Sequence, residues 1–259
     1  MTSVRQKHLD AFIRAVTLVL EKVENFDRYP FSIPSIRKLD SLDLHPQVTF
    51  FVGENGSGKS TLIEAIAIAA RFNAEGGSQN FNFATRRSES ELHTVLRLVR
   101  GVRRPKTGYF LRAESYFNVA TEVDRIAREV PTGYAVLEAH GGRSLHEQSH
   151  GESFLALVQN RFYANGLYIL DEPEAALSPQ RQLSFLVSLD QLARRQNCQF
   201  IIATHSPIIL AYPQAIIYAL GPDGPTKVAY EDTEHYALTR DFLQNRERYL
   251  RRLLGNDEQ

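Results

Sequence analysis

The chain is 259 residues long, 43% hydrophobic and 23% charged, the composition of a globular protein large enough to bury a real core. Thirty basic and thirty acidic side chains cancel, which excludes recruitment of nucleic acid or membrane by a global field. The single cysteine, Cys198, excludes an internal disulfide and fits a reducing compartment, so a cytoplasmic location is expected.

No apolar run approaches the roughly 18 residues of a membrane span, so no membrane insertion is expected. Ala11 to Leu20 is interrupted by Arg14 and followed by no small-residue cleavage site. It reads as an amphipathic surface helix and a poor signal peptide. From Asn25 to Leu44 the chain is proline-punctuated, and Phe31-Ser32-Ile33 with Ser35-Ile36 reads as edge strands. Tyr29 lies 24 positions before Gly53, where an aromatic ring could stack on an adenine or simply close a strand edge.

The apolar strand Val48-Thr49-Phe50-Phe51-Val52 runs into Gly53-Glu54-Asn55-Gly56-Ser57-Gly58-Lys59-Ser60-Thr61, and a helix follows to about Phe72. Glycines let such a turn curl its N–H groups inward onto phosphate oxygens, and the helix N-terminus adds partial positive charge. Lys59 reaches the β- and γ-phosphates in this pattern, and the Ser60 hydroxyl ligates Mg²⁺.

Asn73 to Ser90 is a polar loop, Leu92 to Val99 a strand, and Tyr109 to Glu114 another. Between Arg86 and Arg112, eight Arg or Lys oppose only Glu89 and Glu91, so this stretch is either a phosphate-facing surface or a solvated hairpin. Phe117 to Arg128 has helical spacing. Ser149 and Glu152 have capping-box spacing before the apolar run that starts at Phe154.

Leu167 to Leu170 is apolar on both faces, as a central parallel strand requires, and ends in Asp171-Glu172-Pro173. Two carboxylates there occupy the strand end where open α/β sheets bind ligands, one suited to Mg²⁺ and the next to a water. Pro179 to Arg195 is a helix, and the strand Gln199 to Ala203 delivers Thr204-His205-Ser206-Pro207. Ala215 to Leu220 and Thr226 to Tyr230 form a hairpin, and His235 to Leu254 a closing helix.

In this order, the G-x-x-x-x-G-K-S loop at Gly53–Ser60, S-H-G-E-S at 149–153, L-Y-I-L-D-E-P at 167–173 and A-T-H-S-P at 203–207 resemble the ABC-class ATPases. Within that class the chain looks most like the small stand-alone ATPases related to chromosome-maintenance and recombination-repair heads. The resemblance implies ATP and Mg²⁺ as cofactors, with Gly53 to Thr61 around the phosphates and Asp171 supporting the metal through water. It also implies that Glu172 polarises the attacking water and that His205 contacts the γ-phosphate. Ser149 and Gly151 match the signature loop, which in this class touches the nucleotide of the opposite subunit. An ATP-dependent head-to-tail homodimer acting on nucleic acid or a partner protein follows, with Glu174 to Ser178 at the seam.

The implied fold is α/β, a P-loop NTPase of the ABC ATPase type forming a single domain over residues 1–259. A mainly parallel central sheet would carry an antiparallel β subdomain (25–50 and 92–114) and a small helical lobe (115–165). There are departures from the family pattern. No glutamine stands between Gln79 and Gln148, where the family has one, and Glu114 is the candidate replacement. His150 and Glu152 replace the usual signature glycine and glutamine. The alternatives are a transporter's energising subunit, a phosphotransferase and a binding-only switch. With about 34 residues and no heptads between Glu114 and Ser149, a long coiled-coil arm is excluded.

Overall fold

The computed structural model describes residues 11–78, 90–112, 125 and 150–255. Its strands are β1 (Ile13–Leu18), β2 (Ser41–Asp43), β3 (Val48–Val52), β4 (Gly77–Ser78), β5 (Leu96–Arg100), β6 (Thr107–Arg112), β7 (Gly166–Asp171), β8 (Gln199–Ala203), β9 (Ile216–Gly221) and β10 (Gly224–Lys227). The helices are α1 (Pro34–Arg37), α2 (Lys59–Ala69), α3 (Leu92–Val95), α4 (His150–Arg161), α5 (Pro179–Asp190), α6 (Pro207–Leu210), α7 (Glu234–Gln244) and α8 (Arg246–Leu254).

A seven-stranded sheet has the order β10-β9-β3-β8-β7-β6-β4. Its five inner strands, β9 to β6, are parallel, and both edge pairings are antiparallel. Every residue of β3, β7 and β8 is buried, because helices or a second sheet cover both faces. Alternation along each strand feeds two apolar layers. Phe51, Ile169 and Ile201 join α2 and the second sheet, while Phe50, Tyr168 and Phe200 face α4 and α5.

The second sheet is antiparallel, ordered β2-β1-β5. It is present as the sequence predicts, with β2 and β5 inside the expected ranges, but its central strand comes from outside them. The expected surface helix over Ala11–Leu20 is the central strand β1, paired on both sides. Its β-branched Ile13, Val16 and Thr17 favour extension, and Ile13, Ala15, Val16 and Leu18 are all buried. Residues 107–112, inside the range expected for the antiparallel unit, belong to the parallel sheet instead, as does the strand before the glycine loop at 48–52, whose first residues overlap that range. Gln199 joins the two layers: its Oε1 accepts from Ile13 N–H at 2.9 Å, and its Nε2 donates to the Ile13 and His45 carbonyls at 2.7 and 3.0 Å.

Other differences are local. The expected edge strands at 31–36 are replaced by the single-turn helix α1, which Pro34 starts by fixing φ at the first position. Leu92–Val95 is likewise one helical turn before β5 begins. The closing helix is two helices, divided at Asn245, whose amide donates to the Asp241 carbonyl and carboxylate at 3.2 and 2.7 Å. Of the helical lobe α4 is described; apart from Arg125, the helix expected over Phe117–Arg128 lies outside the described residues, as do Glu114 and Ser149. Cys198 is buried with its Sγ 3.2 Å from the Tyr163 carbonyl, and burial pushes the thiol above its usual range, as for a structural cysteine.

Candidate nucleotide site

Register brings the site together before any side chain is considered. Arg112, Asp171, Ala203 and Phe51 form one row across β6, β7, β8 and β3. The residues that follow therefore leave the sheet at one edge: Glu172 from β7, Thr204-His205 from β8 and the Gly53–Gly58 loop from β3. Backbone bonds from Glu172 N–H to the Ala203 carbonyl (2.9 Å) and from Thr204 N–H to the Phe51 carbonyl (3.1 Å) fix the three exits against each other.

The loop needs its glycines for two separate reasons. Gly53 has φ of 150°, and a Cβ there would lie 2.6 Å from the Leu220 carbonyl. Gly58 caps α2 in the left-handed region, with a Cβ position 3.1 Å from both Ile33 and Ser35. Helix α1 thus packs directly on the loop, and the Ser35 hydroxyl donates to the Ser57 carbonyl. Sequence reasoning gave α1 no such part.

Lys59 is 4% exposed, and its ammonium donates to the Gly53 and Glu54 carbonyls, both at 2.9 Å. Burial pushes it below its usual range; the carboxylates of Glu172, Asp171 and Glu174 oppose that shift. The Ser60 hydroxyl donates to Asp171 Oδ1 at 3.1 Å. Ser57 Oγ is buried with no hydrogen-bond partner among the described residues, as expected of an oxygen placed for a ligand.

The described residues contain no cluster of three His, Cys, Asp or Glu able to hold a metal. A Mg²⁺ that draws most of its ligands from phosphate and water needs only the Ser60–Asp171 pair. The donor set fits that ion.

Glu172 sits in the left-handed region at φ 52°, ψ 53°, a conformation that costs a non-glycine residue of order 1–3 kcal/mol and recurs at functional sites. His205 Nε2 is 3.3 Å from Glu172 Oε1, outside hydrogen-bond geometry, and is otherwise unpartnered among the described residues. His205 Nδ1 lies 2.7 Å from Nε2 of His235. Burial, then the Lys59 charge and His235, lower the His205 pKa, and Glu172 opposes them.

Glu174, which the resemblance puts at a dimer seam, folds inward in this chain. Its carboxylate accepts from Thr204 Oγ1 at 2.7 Å and from His205 N–H at 2.5 Å. Burial raises its pKa, and those two bonds work against the shift. Sequence reasoning placed Glu174 at a dimer seam and gave His235 no part, so it missed both contacts.

Tyr29 is brought to the loop helix, its hydroxyl 3.3 Å from Thr61 Oγ1, and the residue is 58% exposed. Gly151 is not brought to the loop: the atoms nearest its Cβ position belong to Arg181 and Ala176. Glu152 pairs with Arg181 at 3.1 Å. A cavity of about 570 Å³ flanks the loop on the side of β9, β10 and His235. Glu54, Asp223, Asp232 and Glu234 line it, so its sign is wrong for a triphosphate, which the loop amides and Lys59 serve better.

The basic stretch is largely dispersed. Arg112 pairs with the buried Glu64 at 2.6 Å, and Arg103 binds Asn165 and lies over Phe12. Arg100 and Arg104 instead share a second cavity of about 360 Å³ with Arg71.

A family model described as "AAA domain" matches residues 22–132, and one described as "AAA ATPase domain" matches residues 154–210. No curated protein matches the chain in sequence. Among solved structures, an ABC transporter described as of metal-chelate type, in an inward-facing conformation, matches at TM-score 0.50 and 18% identity, covering 88% of this chain and 87% of its own. A nucleotide-free ATP-binding cassette from an ABC transporter gives 0.48 and 17%, over 91% and 96%. The SMC head domain from Thermotoga maritima gives 0.43 and 18%, over 83% and 98%. The fold is that of the ABC ATPases. Over parts of the chain the two family models add the description of an AAA-type ATPase domain. Among the described residues, no helix is long and apolar enough to cross a membrane.

Proposed function

We propose that this chain is a Mg-dependent ATPase of the cytoplasm that hydrolyses ATP between two copies of itself, acting as one ATPase domain. One observation carries the reading: Lys59, the Ser60–Asp171 pair, Glu172 and His205 leave three adjacent strands at one edge. In this reading Lys59 exchanges the Gly53 and Glu54 carbonyls for β- and γ-phosphate oxygens. Gly53 to Thr61 supply amides, and Tyr29 stacks on the adenine. Ser60, with Asp171 through water, would hold Mg²⁺, which neutralises phosphate charge when bound. Glu172 orients and polarises the attacking water, and His205 donates to the γ-phosphate.

Ser149 and Gly151 would complete the partner's site in a head-to-tail dimer, whose closure would act on nucleic acid or a partner protein. Arg71, Arg100 and Arg104 support a polyanion on that face. Burial and then its two neighbours lower the Arg100 pKa, so an anion among the three relieves repulsion. The transporter subunit is the second reading. The fold match to a transporter favours it, and the missing glutamine between Gln79 and Gln148 counts against it.

The test is the solution mass of the E172Q protein. Mass that doubles only with Mg-ATP is expected. An unchanged mass overturns the shared site.

A further inference from the structure

We infer that His235 is a positioning residue for His205, holding its ring in the tautomer that turns Nε2–H toward Glu172 and the transferring phosphoryl group. The inference deepens the hydrolysis reading above and rests on it.

Two neutral imidazoles sharing a 2.7 Å contact must have one N–H between them. If His205 supplied it from Nδ1, its Nε2 would be a bare lone pair buried 3.3 Å from a Glu172 oxygen. Two acceptors would then face each other, with the His205 lone pair buried and unpaired, which costs the desolvation of that nitrogen. If His235 donates from Nε2–H, His205 accepts at Nδ1 and carries its proton on Nε2. That places a donor toward the carboxylate and toward the space where a γ-phosphate is handled. An imidazolium on His205 would carry a proton on both nitrogens, but burial and the Lys59 ammonium disfavour it. Around His235, burial and Lys59 likewise favour the neutral ring, while Glu234 and Glu54 oppose them.

His235 is held where this requires. Thr233, just before α7, is 2% exposed and donates to the Tyr230 carbonyl at 2.7 Å. The Tyr230 hydroxyl donates to the Pro207 carbonyl at 3.0 Å, and its ring packs 4.5 Å from that of Tyr236. The start of α7 is therefore pinned to the loop that carries His205. The two rings lie 4.7 Å apart at 67°, an edge-on arrangement in which a nitrogen of one can meet a nitrogen of the other.

Two readouts test this on the full chain. The first is ¹⁵N NMR of the imidazole nitrogens in nucleotide-free protein, with His205 assigned by its loss in H205A. The second is ATPase kinetics of H235A and H235Q, the glutamine amide keeping a donor of similar reach. In wild type His205 should be a single Nε2–H tautomer, and in H235A a mixture. H235A should lose about ten- to a hundredfold in kcat, as loss of an orienting hydrogen bond does elsewhere, and H235Q should recover most of it. KM for ATP should stay within about twofold, since the effect of His235 runs through His205.

An unchanged His205 tautomer in H235A overturns the inference, as does unchanged kcat in a protein that E172Q inactivates. If the wild-type chain hydrolyses nothing, the function proposed above fails. The NMR result then decides the His205–His235 assignment by itself.

Discussion

The edge formed by β3, β7 and β8 and the arm formed by α7 and α8 meet at one pair of histidines and are built on opposite terms. All residues of the three strands are buried, whereas neither arm helix contains a buried residue. The arm exposes Leu238, Leu243, Leu253 and Leu254, each more than half accessible. Rigidity at the edge comes from packing on both faces, so its loops leave at fixed positions. The arm gains no such support and reaches the site through what its first turn holds. Precision at this site therefore depends on the sheet for placement and on a single imidazole for orientation.

The largest effect should come from the edge itself. Lys59→Ala removes a buried ammonium aimed into the phosphate loop; at about 3 kcal/mol for its charge-assisted bonds, ATP affinity should drop a hundredfold or more by calorimetry. Next is the seam beneath the edge. Gln199→Leu removes the buried bonds to the Ile13 amide and carbonyl, and should cost about 3 kcal/mol in urea unfolding while leaving the loop's chemistry unchanged.

The junction of edge and arm should show itself through pH. His205 and His235 are both held below the ordinary 6.5. The unfolded chain binds protons that the folded one resists, so this stability is fully present above pH 6.5 and falls as pH drops below it. Each histidine contributes at most about 1.4 kcal/mol per pH unit. Glu174, held above its usual range, acts in the opposite sense at lower pH. Urea midpoints at about pH 7.5 and about pH 5.5 should differ in wild type and converge in the H205Q/H235Q double variant. The arm should respond least: Leu243→Gln with Leu253→Gln should change stability by under about 0.5 kcal/mol.

The edge was legible in sequence because continuous apolar runs ending in glycine, paired carboxylates or histidine admit few other folds. The strand β1 was not. It lies between β2 and β5 with one face on the core, and its buried Phe12, Ile13 and Val16 mimic a helical spacing. Glu174 and His235 were invisible for another reason. Each meets His205 across about thirty positions of chain, and such a contact leaves no local pattern. Arg112 looked like surface charge and proved to be the partner of Glu64 on α2.

The central claim is that Glu172 activates water for ATP hydrolysis at this edge, and Glu172→Gln tests it most directly. Steady-state turnover and equilibrium ATP binding would be measured on the same preparation. Binding that stays near wild type, with turnover reduced by about a hundredfold or more, is the predicted result. Hydrolysis at the wild-type rate would contradict the account.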